Sequence, residues 1–127
     1  MAIYGNSRWL RLAATVLLAA IVVATFLPAG WQLRLGLHWL LEHFIAYFSL
    51  TILLCLLWNR PLAVAAALIQ VAVLLEAAQG LTPDRVPDPA TALLAAAGIS
   101  VAALLSDLVL NLRKAQASAA SRPEAGR

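Results

Sequence analysis

The chain alternates between long oily stretches and short polar joints. Four apolar runs stand out, at about residues 10–27 ("LRLAATVLLAAIVVATFL"), 37–58, 62–81 and 90–112. Between them lie Pro28-Ala29-Gly30, the compact turn Asn59-Arg60-Pro61 and the stretch "GLTPDRVPDP". Each run has roughly 18–23 residues, and an α-helix needs about 20 to cross the hydrocarbon core of a bilayer. Hydrocarbon offers no partner for backbone N–H and C=O groups, so helices are required. The pattern predicts an all-α membrane protein, with four transmembrane helices in a compact bundle joined by short loops. The last residues, 115–127 ("AQASAASRPEAGR"), are small, polar and poor in apolar side chains, and read as a disordered cytoplasmic tail. Arg8 before the first run and Arg11 at its start give it some signal-peptide character. Its length, the lack of a convincing cleavage site and Pro28 at the point of cleavage favour a retained helix.

Composition sharpens this reading. The 127 residues are 63% hydrophobic and 12% charged, against about 25% charged in a soluble domain. A chain this small has too much surface to hide so much apolar area from water. The net charge of +3 comes from nine Lys and Arg against six acids. Most of the cations sit at segment ends, which suits lipid headgroups. No basic face interleaved with aromatics is present, so nucleic acid is not an expected partner. The lone Cys55 excludes an intrachain disulfide and a cysteine-pair metal motif. His38 and His43 lie on different helical faces and make a poor metal pair, so neither metal nor cofactor is expected.

The cations also set an orientation. With both termini cytoplasmic, the inside holds Arg8, Arg11, Arg60, Arg113, Lys114, Arg122 and Arg127, and the outside only Arg34 and Arg85. This is the positive-inside arrangement. Trp9, Trp31, Trp39 and Trp58 fall at predicted helix ends, as interfacial anchors do.

The polar residues inside the spans carry the candidate chemistry. In this topology the outer half of the second helix holds His38, Glu42, His43 and Tyr47. Glu76 and Gln79 lie near the outer end of the third, and the following loop adds Asp84, Arg85 and Asp88. His43 and Tyr47 are four apart and share a face, with Thr51 one turn deeper; His38 and Glu42 form a second such pair about 100° away. Ionisable side chains within a span cost a few kcal/mol, so they usually face a partner or a wet cavity. Gly80 leaves room for a close approach, and Pro83, Pro87 and Pro89 stiffen the loop that carries Arg85 and Asp88. Around Gly98, the small residues of "ATALLAAAGIS" suit tight helix packing. Asp107 and Asn111 read as interfacial. His43, Tyr47, Glu76, Gln79, Arg85 and Asp88 are thus the candidate ligand-binding set, with His43 and Glu76 as candidate acid–base residues.

These residues bear a resemblance. "HFIAYF" supplies His43, Phe44 and Tyr47; "EAAQGLTPDR" supplies Glu76, Gln79, Pro83 and Arg85; and Gly98 stands on the last helix. Over about residues 37–105 the chain resembles the VanZ-like family of small multi-pass bacterial membrane proteins. It departs from the family's pattern in three places. Trp39 and Leu40 replace an Asp-Lys pair, Thr91 replaces an Asp, and Ala95 replaces an Asn. The family's founding member is associated with teicoplanin resistance, and other members are similar to proteins encoded near envelope polysaccharide genes. The resemblance implies a bacterial plasma-membrane protein that handles an envelope lipid or glycolipid at the outer face.

Three functions follow as expectations. The first is an accessory or binding protein for a lipid-linked glycan or glycopeptide-type ligand. Arg85 would hold an anionic group, Glu76 would orient Arg85, and Tyr47, Gln79 and His43 would hydrogen-bond the ligand. The second is a membrane enzyme acting on a lipid-linked precursor, with Glu76 orienting His43. The third is a helical subunit whose polar residues only lock the bundle.

Overall fold

A computed structural model describes residues 7–31 and 36–122. Arg34 and Arg127, and residues 123–127 of the expected tail, lie outside the described residues. Four helices follow in order: α1 (Ser7–Phe26), α2 (Trp39–Leu57), α3 (Pro61–Gln79) and α4 (Pro89–Ala120), with one 3₁₀ turn, Ala29–Trp31, after α1. All four are long and apolar enough to span a membrane. Only 11% to 33% of each span is buried inside the chain. Large apolar side chains such as Leu62, Leu74, Leu93 and Leu104 face outward, a surface that lipid covers and water would not. The chain is a multi-pass, all-α membrane protein.

The helix ends have local causes. Gly36 turns the chain into α2 with a φ of 80°, in the left-handed region that glycine adopts without strain. The His38 side chain caps α2 by accepting from Leu40 N–H at 3.4 Å. Pro61 and Pro89 open α3 and α4, where a fixed φ helps and the missing N–H costs nothing. α3 stops at Gln79, whose carbonyl accepts both the Thr82 N–H at 3.0 Å and the Thr82 hydroxyl at 2.6 Å.

The tail departs from expectation. Residues 115–120, read as disordered, continue α4 as far as Ala120. A helix already propagating extends cheaply through Ala-rich sequence, and Ser121 closes it by donating its N–H to the Ala117 carbonyl at 3.1 Å. Residues 111–122 of this stretch are exposed, so the end of α4 stands clear of the bundle. Asn111 Nδ2 donates to Asp107 Oδ2 at 3.1 Å on its outer surface.

α2 packs most extensively on α4, α3 also packs on α4, and α1 leans on α2 and α3. The α2–α4 contact is closest at Gly98. A Cβ there would lie 2.6 Å from the Phe44 carbonyl oxygen and 3.3 Å from the Phe48 nitrogen, so the two backbones touch. Leu50, Thr51, Ile99 and Ala102 are fully enclosed around this contact. Thr51 satisfies its hydroxyl on the Tyr47 carbonyl at 2.7 Å, the usual solution for a hydroxyl in a buried helix.

Candidate functional site

The second half of α1, the first half of α2, the end of α3 and the start of α4 meet at one end of the bundle. They enclose a cavity of about 490 Å³. His43, Tyr47, Glu76, Gln79, Arg85 and Asp88 all line it. Glu42 and Asp84 join them. His38 does not, because it caps α2 at the surface. Trp39, expected as an interfacial anchor, is half-buried and forms part of the wall, edge-on to His43 at 6.3 Å between ring centres. Trp9, Trp31 and Trp58 stay exposed.

The hydrogen bonds within the site differ from those the side chains alone imply. The Glu76 carboxylate bonds a backbone group. Its Oε1 accepts the Asp88 backbone N–H at 2.6 Å, and Asp88 Oδ1 accepts the Ala90 N–H at 2.9 Å, capping α4. Glu76 therefore fixes the start of α4 against the end of α3. The loop between them folds back so far that a Cβ on Gly80 would lie 2.8 Å from Pro87 Cγ. Loop, and not a neighbouring helix, fills the space this glycine leaves.

Gln79 and Arg85 reach across to α1. Gln79 Nε2 donates to the Thr25 carbonyl at 3.2 Å, and Arg85 Nη2 donates to the Leu27 carbonyl. The last carbonyls of a helix have no partner within it, and a cation at that end also favours the helix dipole. A neutral bond of this kind contributes about 0.5–1.5 kcal/mol and a charged one about 1.5–3 kcal/mol. Two residues read as ligand-binding thus also tether α1, the least buried of the four spans.

His43 is positioned by its own helix. Its Nδ1 lies 2.9 Å from the Trp39 carbonyl oxygen. A carbonyl only accepts, so Nδ1 carries the hydrogen and in the neutral ring Nε2 holds the lone pair. Tyr47 and Thr91 are 4% and 6% exposed. Neither hydroxyl bonds a protein group among the described residues, yet no sealed-off side-chain nitrogen or oxygen there lacks a partner. Both hydroxyls therefore keep some accessible surface, and both residues line the cavity.

Two contributions escape a reading of the polar residues. One is the apolar wall from α1: Leu17, Ala20, Ile21, Ala24 and Thr25. Its only polar signal in the sequence is Thr25, whose hydroxyl bonds back to the Ile21 carbonyl at 2.7 Å. The other is Thr91, legible only as a departure from the resembled pattern. Thr91 and Ala95 line a second void of about 10 Å³ together with His43, Tyr47, Glu76 and Gln79, roughly the size of one water. Among the described residues no cluster of three metal-ligating side chains forms.

The arrangement places an apolar wall from α1 beside a set of hydrogen-bonding side chains around one cavity of a multi-pass helical membrane protein. Comparison of the chain with protein-family models, with curated proteins and with solved structures gives no match.

Proposed function

We propose that this chain is a VanZ-like integral membrane protein of the bacterial cell envelope. In this reading it is an accessory or binding protein for a lipid-linked glycan or glycopeptide-type ligand, linked to teicoplanin-type tolerance. Both termini lie in the cytoplasm and the cavity opens at the outer face, the orientation that the cation distribution favours. The observation that carries the reading is the pair of buried hydroxyls, Tyr47 and Thr91, without protein partners among the described residues, on the wall of a cavity of about 490 Å³. A helix-locking polar residue spends its hydrogen bonds on the protein, as Gln79 does on Thr25. These two hydroxyls do not. The head of an amphiphile would meet them while its chain lies along Leu17, Ala20, Ile21 and Ala24, next to the bilayer.

A specific observation favours a second reading, the enzyme. With Nδ1 held by the Trp39 carbonyl, His43 has the fixed tautomer that a general base needs. Glu76 is then no part of a dyad with it. The test is native mass spectrometry of the protein extracted in mild detergent from its own membrane. One amphiphile retained at one-to-one stoichiometry is expected; a protein carrying only a smear of loosely bound phospholipids contradicts the binding role. Conversion of a labelled lipid-linked precursor that stops in His43→Ala moves the reading to the enzyme.

A further inference from the structure

We propose that the cavity selects an amphiphile whose head carries a primary ammonium group. This rests on the reading of the cavity as an amphiphile site and adds the chemistry of the head. Among the described residues Glu76, Asp84 and Asp88 line the cavity beside one guanidinium, that of Arg85; Glu42, also on the wall, has a partner of its own. With Glu42 set aside, three carboxylates against one guanidinium leave a formal excess of two negative charges. Arg85 already directs one arm to the Leu27 carbonyl.

The open hydrogen-bonding positions point the same way, independently of the charge. In neutral His43, Nε2 accepts. Glu76 and Asp88 each use one oxygen on a backbone N–H and keep a second that only accepts. The Tyr47 and Thr91 hydroxyls have lone pairs and no protein partner among the described residues. An ammonium group has three donors and no acceptor, so it complements a set rich in acceptors. Its bonds to carboxylates are charge-assisted, and strong where water is scarce. Trp39 and Tyr47 add aromatic rings to the lining, which can attract a cation at their faces.

The test uses delipidated protein and an equal mixture of phosphatidylethanolamine and phosphatidylglycerol with identical acyl chains, read by native mass spectrometry. One headgroup ends in an ammonium and the other in hydroxyls. The expected result is a preference of about tenfold for phosphatidylethanolamine, the worth of one charged hydrogen bond. Glu76→Gln with Asp88→Asn keeps an acceptor oxygen for the Asp88 and Ala90 N–H groups while deleting both charges, and should bring the preference close to unity in a protein that thermal unfolding shows to be still folded, at a somewhat lower melting temperature for the lost charge at the start of α4. Equal binding of the two lipids, both weakened by Tyr47→Phe with Thr91→Val, overturns the ammonium assignment and leaves the amphiphile site standing. Binding that ignores all of these substitutions overturns both. Displacement of the lipid by ethanolamine alone assigns the cavity to soluble amines and overturns the lipid source.

Discussion

Gly98→Val is expected to leave little folded protein in the membrane. Even the first atom of a side chain at this position would stand 2.6 Å from the Phe44 carbonyl oxygen. That oxygen belongs to the helix backbone, so no rotamer change can move it aside. The bundle must open along α2 and α4, its most extensive contact. Gly98→Ala should cost about 1–3 kcal/mol, the usual range for overpacking. Valine adds two methyl groups to the same collision and should exceed that, a large part of a typical stability of about 5–15 kcal/mol. Fluorescence-detected size exclusion and thermal unfolding in detergent measure both. Gly30→Ala is the control, because nothing lies within 4 Å of a Cβ there. A Gly98→Val protein as abundant and as stable as the parent would contradict the packing described.

The second large effect falls on binding and leaves stability alone. Tyr47→Phe with Thr91→Val removes two hydroxyls from a buried wall while keeping its shape nearly unchanged. Deleting a buried polar group normally orphans its partner. Here there is no protein partner among the described residues to orphan, so the melting temperature should hold or rise. Two neutral hydrogen bonds to a ligand, at about 0.5–1.5 kcal/mol each, correspond to a loss of affinity on the order of tenfold or more. Titration of the retained amphiphile into stripped protein reads the affinity, and thermal unfolding reads the fold. A fall in stability with unchanged affinity would make both hydroxyls parts of the scaffold.

The four helices were legible because hydropathy and span length are properties of composition along the chain. The positions of His43, Tyr47, Glu76 and Asp88 at one end of the bundle followed from an up-and-down path through the membrane. What each group bonds to did not follow, because most partners are backbone atoms: the carbonyls of Trp39, Thr25 and Leu27 and the N–H of Asp88. A sequence names side chains, and every residue carries the same backbone groups. Once α1 is placed, Gln79 and Arg85 bond its last carbonyls, while Glu76 takes the Asp88 N–H. The α1 wall was hidden for another reason. Ala20 and Ala24 look the same whether they face lipid or a cavity. The extension of α4 to Ala120 was masked by its lack of apolar residues, although alanine favours helix whatever it faces.

Photo-crosslinking with a diazirine-bearing phospholipid, followed by peptide mapping, tests the cavity as a ligand site most directly. Ile21, Tyr47 and Thr91 are each at most 9% exposed and line the cavity, so a lipid reaches them only from within it. Labelling concentrated on these three residues and suppressed by excess unlabelled ligand is the result this account predicts. Labelling confined to outward-facing residues such as Leu62, Leu74, Leu93 and Leu104, with Ile21, Tyr47 and Thr91 untouched, would contradict it.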